Sequence, residues 1–311
     1  MKTIKNLALL IISTFALLSC EDVISPKLDD AQPILVIDAW LTNKPGSQKI
    51  TITRSQPYFD NALPKGVSGA NVEVKDSKGN VYFFKPSGSG EYTWIPTANE
   101  TFGTIGERYQ LTVTIGSETF VSETKMGRVP KVDSIQFYRE EANQFMDEMF
   151  LAEFWSIDPV ETGDAYWIKT YKNGELLLKP ADILTAYDAG FSKGGNFSGV
   201  TFIPPIRTGI NPFDEDADEQ IKSPYVVGDS IYVEINAVSE AAFDFLNQVR
   251  IQTDRPGGFG ELFSTPLANV STNIKNTNPN GSPVLGFFNV GAVSGLGRKF
   301  KSLNDLRKEI D

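Results

Sequence analysis

The stretch ERYQLTVTIGSETFVSETKM, residues 107–126, carries the clearest secondary-structure signal in the chain. Its apolar and polar side chains alternate, which predicts a half-buried strand with one face formed by Tyr109, Leu111, Val113 and Ile115. The dipeptide Gly116-Ser117 suits the two-residue loop of a β-hairpin. The alternation resumes after this loop, so the stretch predicts two antiparallel strands and points to a mainly β fold.

Shorter runs of the same kind lie on the amino-terminal side of this hairpin, at 33–42, 48–55, 69–86 and 90–94. The run 69–86 predicts a second hairpin, in which Val81 and Phe83 resume the alternation after a turn. About seven short strands at this spacing are typical of a β-sandwich. Residues 33–128 are therefore predicted to form an immunoglobulin-like β-sandwich domain.

The following residues, 129–297, predict a second β-rich domain. Strand signals occur at 134–139, 149–158, 164–178, 199–206, 229–239 and 282–293. One α-helix is predicted near 240–252, because Ser239 is a good N-cap and an apolar stripe includes Ala242 and Leu246. Residues 298–311 are predicted to form a polar tail.

The amino-terminal residues have the pattern of a secretory signal. Lys2 and Lys5 precede an almost wholly apolar run over 7–18, which is short for a membrane span. The run ends at Leu-Leu-Ser-Cys, which resembles a bacterial lipobox. That resemblance implies cleavage between Ser19 and Cys20 and a lipid anchor on Cys20. The alternatives are an ordinary signal peptide, in which the cysteine is incidental, and an uncleaved helix buried in the core.

Residues 20–32 predict a polar tether between this anchor and the first strand. Glu21 and Asp22 follow the cysteine directly and resemble a signal for export to the cell surface. The alternative is that both acids are simply the solvated start of the tether. We therefore expect the protein to be anchored in the outer membrane by its lipid and exposed at the cell surface.

Composition excludes several kinds of chemistry. The chain has no histidine, which removes histidine-dependent nucleophiles, general bases and zinc sites. Its one cysteine is the expected lipid attachment site. Removing residues 1–19 takes away two lysines and no acid, so the net charge goes from −10 to −12. Such an acidic chain is not expected to bind nucleic acid.

Acidic residues offer the remaining candidates for a site. Asp214, Asp216 and Asp218 have the 1, 3, 5 spacing of an EF-hand loop, but Glu219 and Tyr225 occupy the positions that need Gly and Glu. They are weak calcium candidates, and a solvated acidic loop is the alternative. Neither a metal nor another cofactor is predicted.

Glycoside chemistry needs two carboxylates at a suitable separation in space, which the sequence does not give, and Glu153 and Asp158 are merely available for it. Four tryptophans could stack on sugars if they were exposed, namely Trp40, Trp94, Trp155 and Trp167. All four lie in or beside strand-like runs, where burial in a core is the commoner outcome.

Five stretches, taken in order, resemble a family of Bacteroidota outer-membrane lipoproteins defined by domain of unknown function 4249. These stretches are 35–59, 67–80, 106–124, 238–276 and 284–293. The resemblance covers residues 21–297 and implies a lipoprotein often encoded beside a TonB-dependent receptor, with no assigned activity. The order of the segments 69–80 and 90–94 also resembles the carboxypeptidase-regulatory type of β-sandwich.

Together these observations predict a non-enzymatic accessory lipoprotein that captures or presents a ligand to a TonB-dependent transporter. One alternative is a structural, adhesion or envelope-assembly subunit. The other is a carboxylate-dependent glycan hydrolase, which requires two acids at a suitable separation in a cleft.

Overall fold

Seven strands precede residue 126 in the computed structural model, which describes residues 32–57, 60, 62–97, 100–144, 146–195, 197–215 and 220–307. They are β1 Leu35–Thr42, β2 Gln48–Arg54, β3 Asn71–Asp76, β4 Val81–Pro86, β5 Glu91–Trp94, β6 Arg108–Ile115 and β7 Glu118–Lys125. The predicted hairpin over 107–126 is confirmed, since β6 and β7 pair along their whole length. Gly116 has φ +60°, the left-handed conformation that favours glycine in such a loop.

Nine further strands and two α-helices follow in the described residues. The strands are β8 Val132–Glu140, β9 Met149–Ser156, β10 Ala165–Lys172, β11 Glu175–Leu176, β12 Leu184–Tyr187, β13 Ser230–Val238, β14 Lys275–Asn276, β15 Val284–Gly291 and β16 Val293–Lys299. The α-helices are α1 Pro204–Thr208 and α2 Glu240–Thr253, and 3-10 turns occur at Pro180–Asp182, Gly258–Phe263 and Leu303–Asp305. The fold class is mainly β, as predicted.

The first sheet has nine strands in the order β14-β7-β6-β3-β4-β5-β2-β1-β15. Strand β4 pairs with β3 through residues 81–84 and with β5 through residues 85–86, so it joins two halves of the sheet. Inward side chains from both halves share one core that includes Ile37, Ile50 and Leu111. This arrangement is consistent with the predicted sandwich. In β4 the inward residue is Phe84, whereas Val81 and Phe83 face solvent, so the predicted alternation is out of phase by one residue.

A late strand completes this sheet. Strand β15 lies parallel to β1, in a register that runs from Leu35–Val284 to Thr42–Gly291. Gly286 has φ +93°, and a Cβ there would lie 2.1 Å from the carbonyl oxygen of Ile37, so this pairing needs glycine. The predicted division after residue 128 falls between β7 and β8, but the first sheet also takes β14 and β15 from beyond it.

The second sheet has the order β11-β10-β13-β16, with β12 also paired to β10. Strands β8 and β9 form a separate antiparallel pair. A second core lies among these strands and α1, and it contains Phe137, Phe154, Tyr166, Phe202 and Ile235. The β9–β10 connection and the end of β12 emerge at the same edge of this core.

Helix α2 confirms the predicted helix near 240–252. The Ser239 hydroxyl accepts a hydrogen bond from the amide of Ala242 at 3.2 Å, which is the expected N-cap contact. The buried side of the helix contains Ala242, Phe243 and Leu246. These residues share a small core with Phe287 of β15, so the apolar stripe packs within the protein.

The strand predicted at 199–206 is wrong. Thr201 makes only an isolated bridge, and residues 204–208 form α1. Pro204 and Pro205 explain the difference, because proline has no amide for a strand ladder and is well suited to the first turn of a helix.

Residues 298–307, the described part of the predicted polar tail 298–311, are not a simple tail. Strand β16 extends to Lys299, and Phe300 is fully buried against Phe137 with ring centroids 4.7 Å apart. Arg307 forms an ion pair with Glu153. One aromatic residue within a charged segment was too weak a signal to predict this packing.

Candidate functional site

Three aspartates from two loops meet at one edge of the second sheet. Asp158 follows β9, Asp164 precedes β10 and Asp188 follows β12. The antiparallel pairing of β10 with β12 brings Asp164 and Asp188 together, and the amide of Asp188 donates to the carbonyl of Asp164 at 2.7 Å. One carboxylate oxygen from each of the three lies within 4.8 Å of the others. We call these three residues the aspartate cluster.

Each member of the aspartate cluster is held in place by a different contact. Asp188 has φ +49° and accepts hydrogen bonds from the amides of Gly163, at 2.8 Å, and Asp164, at 3.0 Å. Asp164 pairs with Arg128, whose Nη2 lies 2.6 Å from its Oδ2. The Tyr166 hydroxyl donates to Oδ1 of Asp158 at 2.6 Å. The carboxylates therefore have fixed positions.

The second oxygen of Asp158 has no hydrogen-bond partner. Asp158 is only 2% exposed, and its Oδ2 is fully buried. An unpaired buried carboxylate oxygen is costly, because water no longer solvates it. Burial raises the pKa of Asp158 from 3.8 to about 6, and the charges of Asp188 and Asp164 add to this. The hydrogen bond from Tyr166 and, least of all, the nearby amide of Gly199 act in the opposite direction.

Arg128 supplies the one positive charge that contacts the aspartate cluster among the described residues. It lies between β7 and β8, and its guanidinium also donates to the carbonyls of Val160, at 3.0 Å, and Glu161, at 3.2 Å. These contacts fix the β9–β10 loop. With three carboxylates ionised, one guanidinium leaves a net charge of −2.

An open cavity of about 610 Å³ lies beside the aspartate cluster. Its lining includes Gly106, Met126, Arg128, Glu161, Asp164 and Ser239. Asp164 thus belongs both to the cluster and to the cavity wall. A small ion or water could reach the cluster from this side.

Glu153 lies in a different environment from Asp158. Arg207 donates to its Oε1 at 2.8 Å, and Arg307 donates to its Oε2 at 2.9 Å. Both oxygens of this buried carboxylate are therefore paired with positive charge. Glu153 and Asp158 are held by separate sets of partners, and the arrangement is typical of a structural ion pair at Glu153.

The other predicted site residues have mixed outcomes. Asp214 is half-buried and forms an ion pair with Lys179. Asp216 and Asp218 lie outside the described residues, as do Ser19, Cys20, Glu21 and Asp22. The lipid-attachment and export predictions therefore stay predictions. Asp164 and Asp188 were not predicted, because isolated aspartates next to strands are ordinary loop residues in sequence.

The tryptophans do not form an exposed platform for sugars. Trp94 is buried in the first core. Trp40 and Trp167 are half-buried and pack edge to face, with ring centroids 5.3 Å apart. Trp155 is covered by the guanidinium of Arg207, 4.1 Å from the ring. All four contribute to packing, as the strand-like context predicted.

Comparison with protein families gives a match over most of this architecture. The model of Domain of unknown function (DUF4249) matches residues 21–295, which include the first sheet and the aspartate cluster. The chain belongs to the DUF4249 family. No curated protein matches this DUF4249 protein. Within the described part of the chain, none of the helices has the length and apolar character required to cross a membrane.

Proposed function

We propose that this DUF4249 protein is a non-enzymatic lipoprotein of the outer membrane that captures or presents a ligand to a TonB-dependent transporter. The observation that carries the proposal is the position of Cys20. It follows the apolar run over 7–18 with only Ser19 between them, and it precedes residue 21, where the family match begins. Cleavage after Ser19 would leave Cys20 as an acylated amino terminus, and several acyl chains together give a stable anchor.

An exposed apolar segment supports a role in docking. Residues 257–267, which we call the apolar segment, follow helix α2 and contain the 3-10 turn Gly258–Phe263. Phe259, Leu262 and Phe263 are 77%, 75% and 80% exposed. The two phenylalanine rings pack against each other with centroids 5.6 Å apart. Clustered exposed apolar side chains are typical of an interaction surface.

The base of the apolar segment is held to the helix. Arg255 forms an ion pair with Glu261 and donates to the carbonyl of Thr265 at 2.8 Å. Gln252 of α2 accepts a hydrogen bond from the amide of Ala268 at 2.9 Å. The apolar side chains are thus presented from an anchored loop, and an apolar surface of the transporter is the partner that fits them.

Crosslinking mass spectrometry on intact cells, with protease shaving in parallel, tests the proposal. We expect shaving to remove the protein and crosslinks to join it to a TonB-dependent receptor. The double variant Phe259→Ala/Phe263→Ala should weaken that crosslink at least fivefold. The control is Ile95→Ala/Leu178→Ala, which removes two exposed apolar side chains outside the segment.

A Cys20→Ser variant tests the anchor separately, since it should leave the membrane fraction. Protection from protease, together with crosslinks only to periplasmic proteins, would contradict ligand capture at the surface. Crosslinks to other surface proteins with no receptor among them would favour the adhesion or assembly alternative.

A further inference from the structure

The contacts of the aspartate cluster supply too little positive charge to compensate its three carboxylates. Two of its carboxylates, those of Asp158 and Asp188, are each 2% exposed. Arg128 compensates one charge, at Asp164, and the hydrogen bonds from Tyr166 and two amides are dipolar. Buried carboxylates without a full countercharge are disfavoured unless a proton or a cation joins them.

The unpaired oxygen of Asp158 points to a ligand independently of the charge count. Oδ2 is buried and has no partner, although Oδ1 of the same group has a short hydrogen bond. Buried polar atoms are nearly always satisfied, so an exception at a cluster of three acids indicates an additional partner. A cation bound between the three carboxylates would satisfy this atom.

The geometry favours calcium among the common divalent ions. Calcium lies about 2.3–2.6 Å from its oxygen ligands, so two ligands of one ion are at most about 5 Å apart. One carboxylate oxygen from each of the three aspartates lies within 4.8 Å of the other two, which fits that limit. Magnesium ligands lie closer, and zinc favours the nitrogen and sulfur ligands that this chain lacks here. The net charge of −2 matches one divalent ion.

We propose that Asp158, Asp164 and Asp188 form a calcium-binding site in this protein. The ion would connect the β9–β10 loop to the end of β12, and Arg128 would link both to the segment that follows β7. Water from the adjoining cavity would complete the coordination. Calcium would thus stabilise the junction between the two sheets without taking part in a reaction.

Thermal unfolding of the full chain in mild detergent tests the site. After treatment with a chelator, calcium at about a hundredfold excess over its Kd should raise the Tm by about 5 °C. Magnesium at the same concentration should have a much smaller effect. Terbium offers a second readout, because Tyr166 contacts Asp158 and should sensitise the emission of a bound lanthanide.

Asp158→Asn and Asp188→Asn should each weaken calcium binding at least tenfold and remove the terbium signal. Both keep the size of the side chain, and asparagine tolerates the left-handed backbone of position 188. Circular dichroism without calcium checks that the variants fold. Asp214→Asn is the matched control in the acidic stretch 214–219, and it should respond to calcium like the wild type.

Three results would overturn the proposal. The first is a wild-type Tm that calcium does not change, which would mean that a bound proton, and not a cation, compensates the charge of the cluster. The second is a folded Asp158→Asn variant that keeps the calcium response. The third is loss of the response in Asp214→Asn, which would assign the ion to the acidic loop.

Discussion

Glu153 and Asp158 lie close together in the sequence and are both buried, but their surroundings are opposite. Both oxygens of Glu153 accept from arginines, at 2.8 Å from Arg207 and 2.9 Å from Arg307. Asp158 has one oxygen on the Tyr166 hydroxyl and one with no partner. Burial of an acid therefore does not by itself indicate a functional site. A buried carboxylate whose charge and hydrogen bonds are only partly compensated is the better indication.

The two environments also differ in their charge balance. At Glu153, two guanidinium groups contact one carboxylate. At the aspartate cluster, one guanidinium contacts a group of three carboxylates. The negative charge of Glu153 is therefore compensated by groups of the protein itself. In our proposal, the negative charge of the aspartate cluster is compensated only when a cation binds. The predictions below test this difference, from the largest expected effect to the smallest.

Glu153→Gln should lower the free energy of unfolding by about 3 kcal/mol, with or without calcium. The change leaves Arg207, whose side chain is largely buried, without its charged partner. Urea-induced unfolding measures the effect. Glu91→Gln, which removes an exposed pair with Lys49, is the control and should cost less than about 1 kcal/mol. If Glu153→Gln lowers the free energy of unfolding as little as the control does, Glu153 is not the compensated structural ion pair that the comparison with Asp158 assumes.

Arg128→Ala should lower the free energy of unfolding by about 2 kcal/mol in the absence of calcium. It removes the countercharge of Asp164 and the hydrogen bonds to two loop carbonyls. Calcium should recover part of this loss, since it supplies positive charge to the same carboxylates. Arg108→Ala removes an exposed pair with Glu123 and serves as the control. Equal losses with and without calcium would contradict this account.

Tyr166→Phe should lower the free energy of unfolding by about 1.5 kcal/mol without calcium. The hydroxyl of this buried residue is the hydrogen-bond donor to Oδ1 of Asp158, and the substitution leaves that oxygen unpaired as well. Differential scanning calorimetry measures the change. The same substitution in an Asp158→Asn background should have a smaller effect. If the two substitutions change the free energy of unfolding additively, the hydrogen bond between Tyr166 and Asp158 does not contribute to stability.

Asp158→Asn should raise the free energy of unfolding by about 1 kcal/mol above pH 6 without calcium. Because the pKa of Asp158 is raised from 3.8 to about 6 in the folded protein, its contribution is favourable at low pH. That contribution is lost as the pH rises through about 6, so the wild type loses stability relative to the variant. Unfolding curves across this range check the sign. A wild type that gains relative stability as the pH rises would contradict it.

Local patterns predicted most of the fold but not its long-range pairings. Alternation identified β6 and β7, and Ser239 identified the start of helix α2. The parallel pairing of β15 with β1 joins segments far apart in sequence, and no local pattern specifies it. Pro204 and Pro205 could have excluded a strand at 199–206, since proline cannot donate to a ladder.

The aspartate cluster was only partly accessible to sequence reasoning. Asp158 was identified as an available carboxylate, but its partners Asp164 and Asp188 were not. These two meet because of the register between β10 and β12, which no spacing motif encodes. Conversely, the spaced acids at 214–218 resembled part of an EF-hand loop, yet Asp214 forms an ion pair with Lys179 in the structure.

A crystal structure of the calcium-soaked protein, with anomalous differences measured for the ion, tests the central claim most directly. We predict one anomalous peak between Asp158, Asp164 and Asp188, with Oδ2 of Asp158 among its ligands. A cluster with no peak, in which Asp158 hydrogen-bonds to a neighbouring carboxylate through a shared proton, would contradict the account.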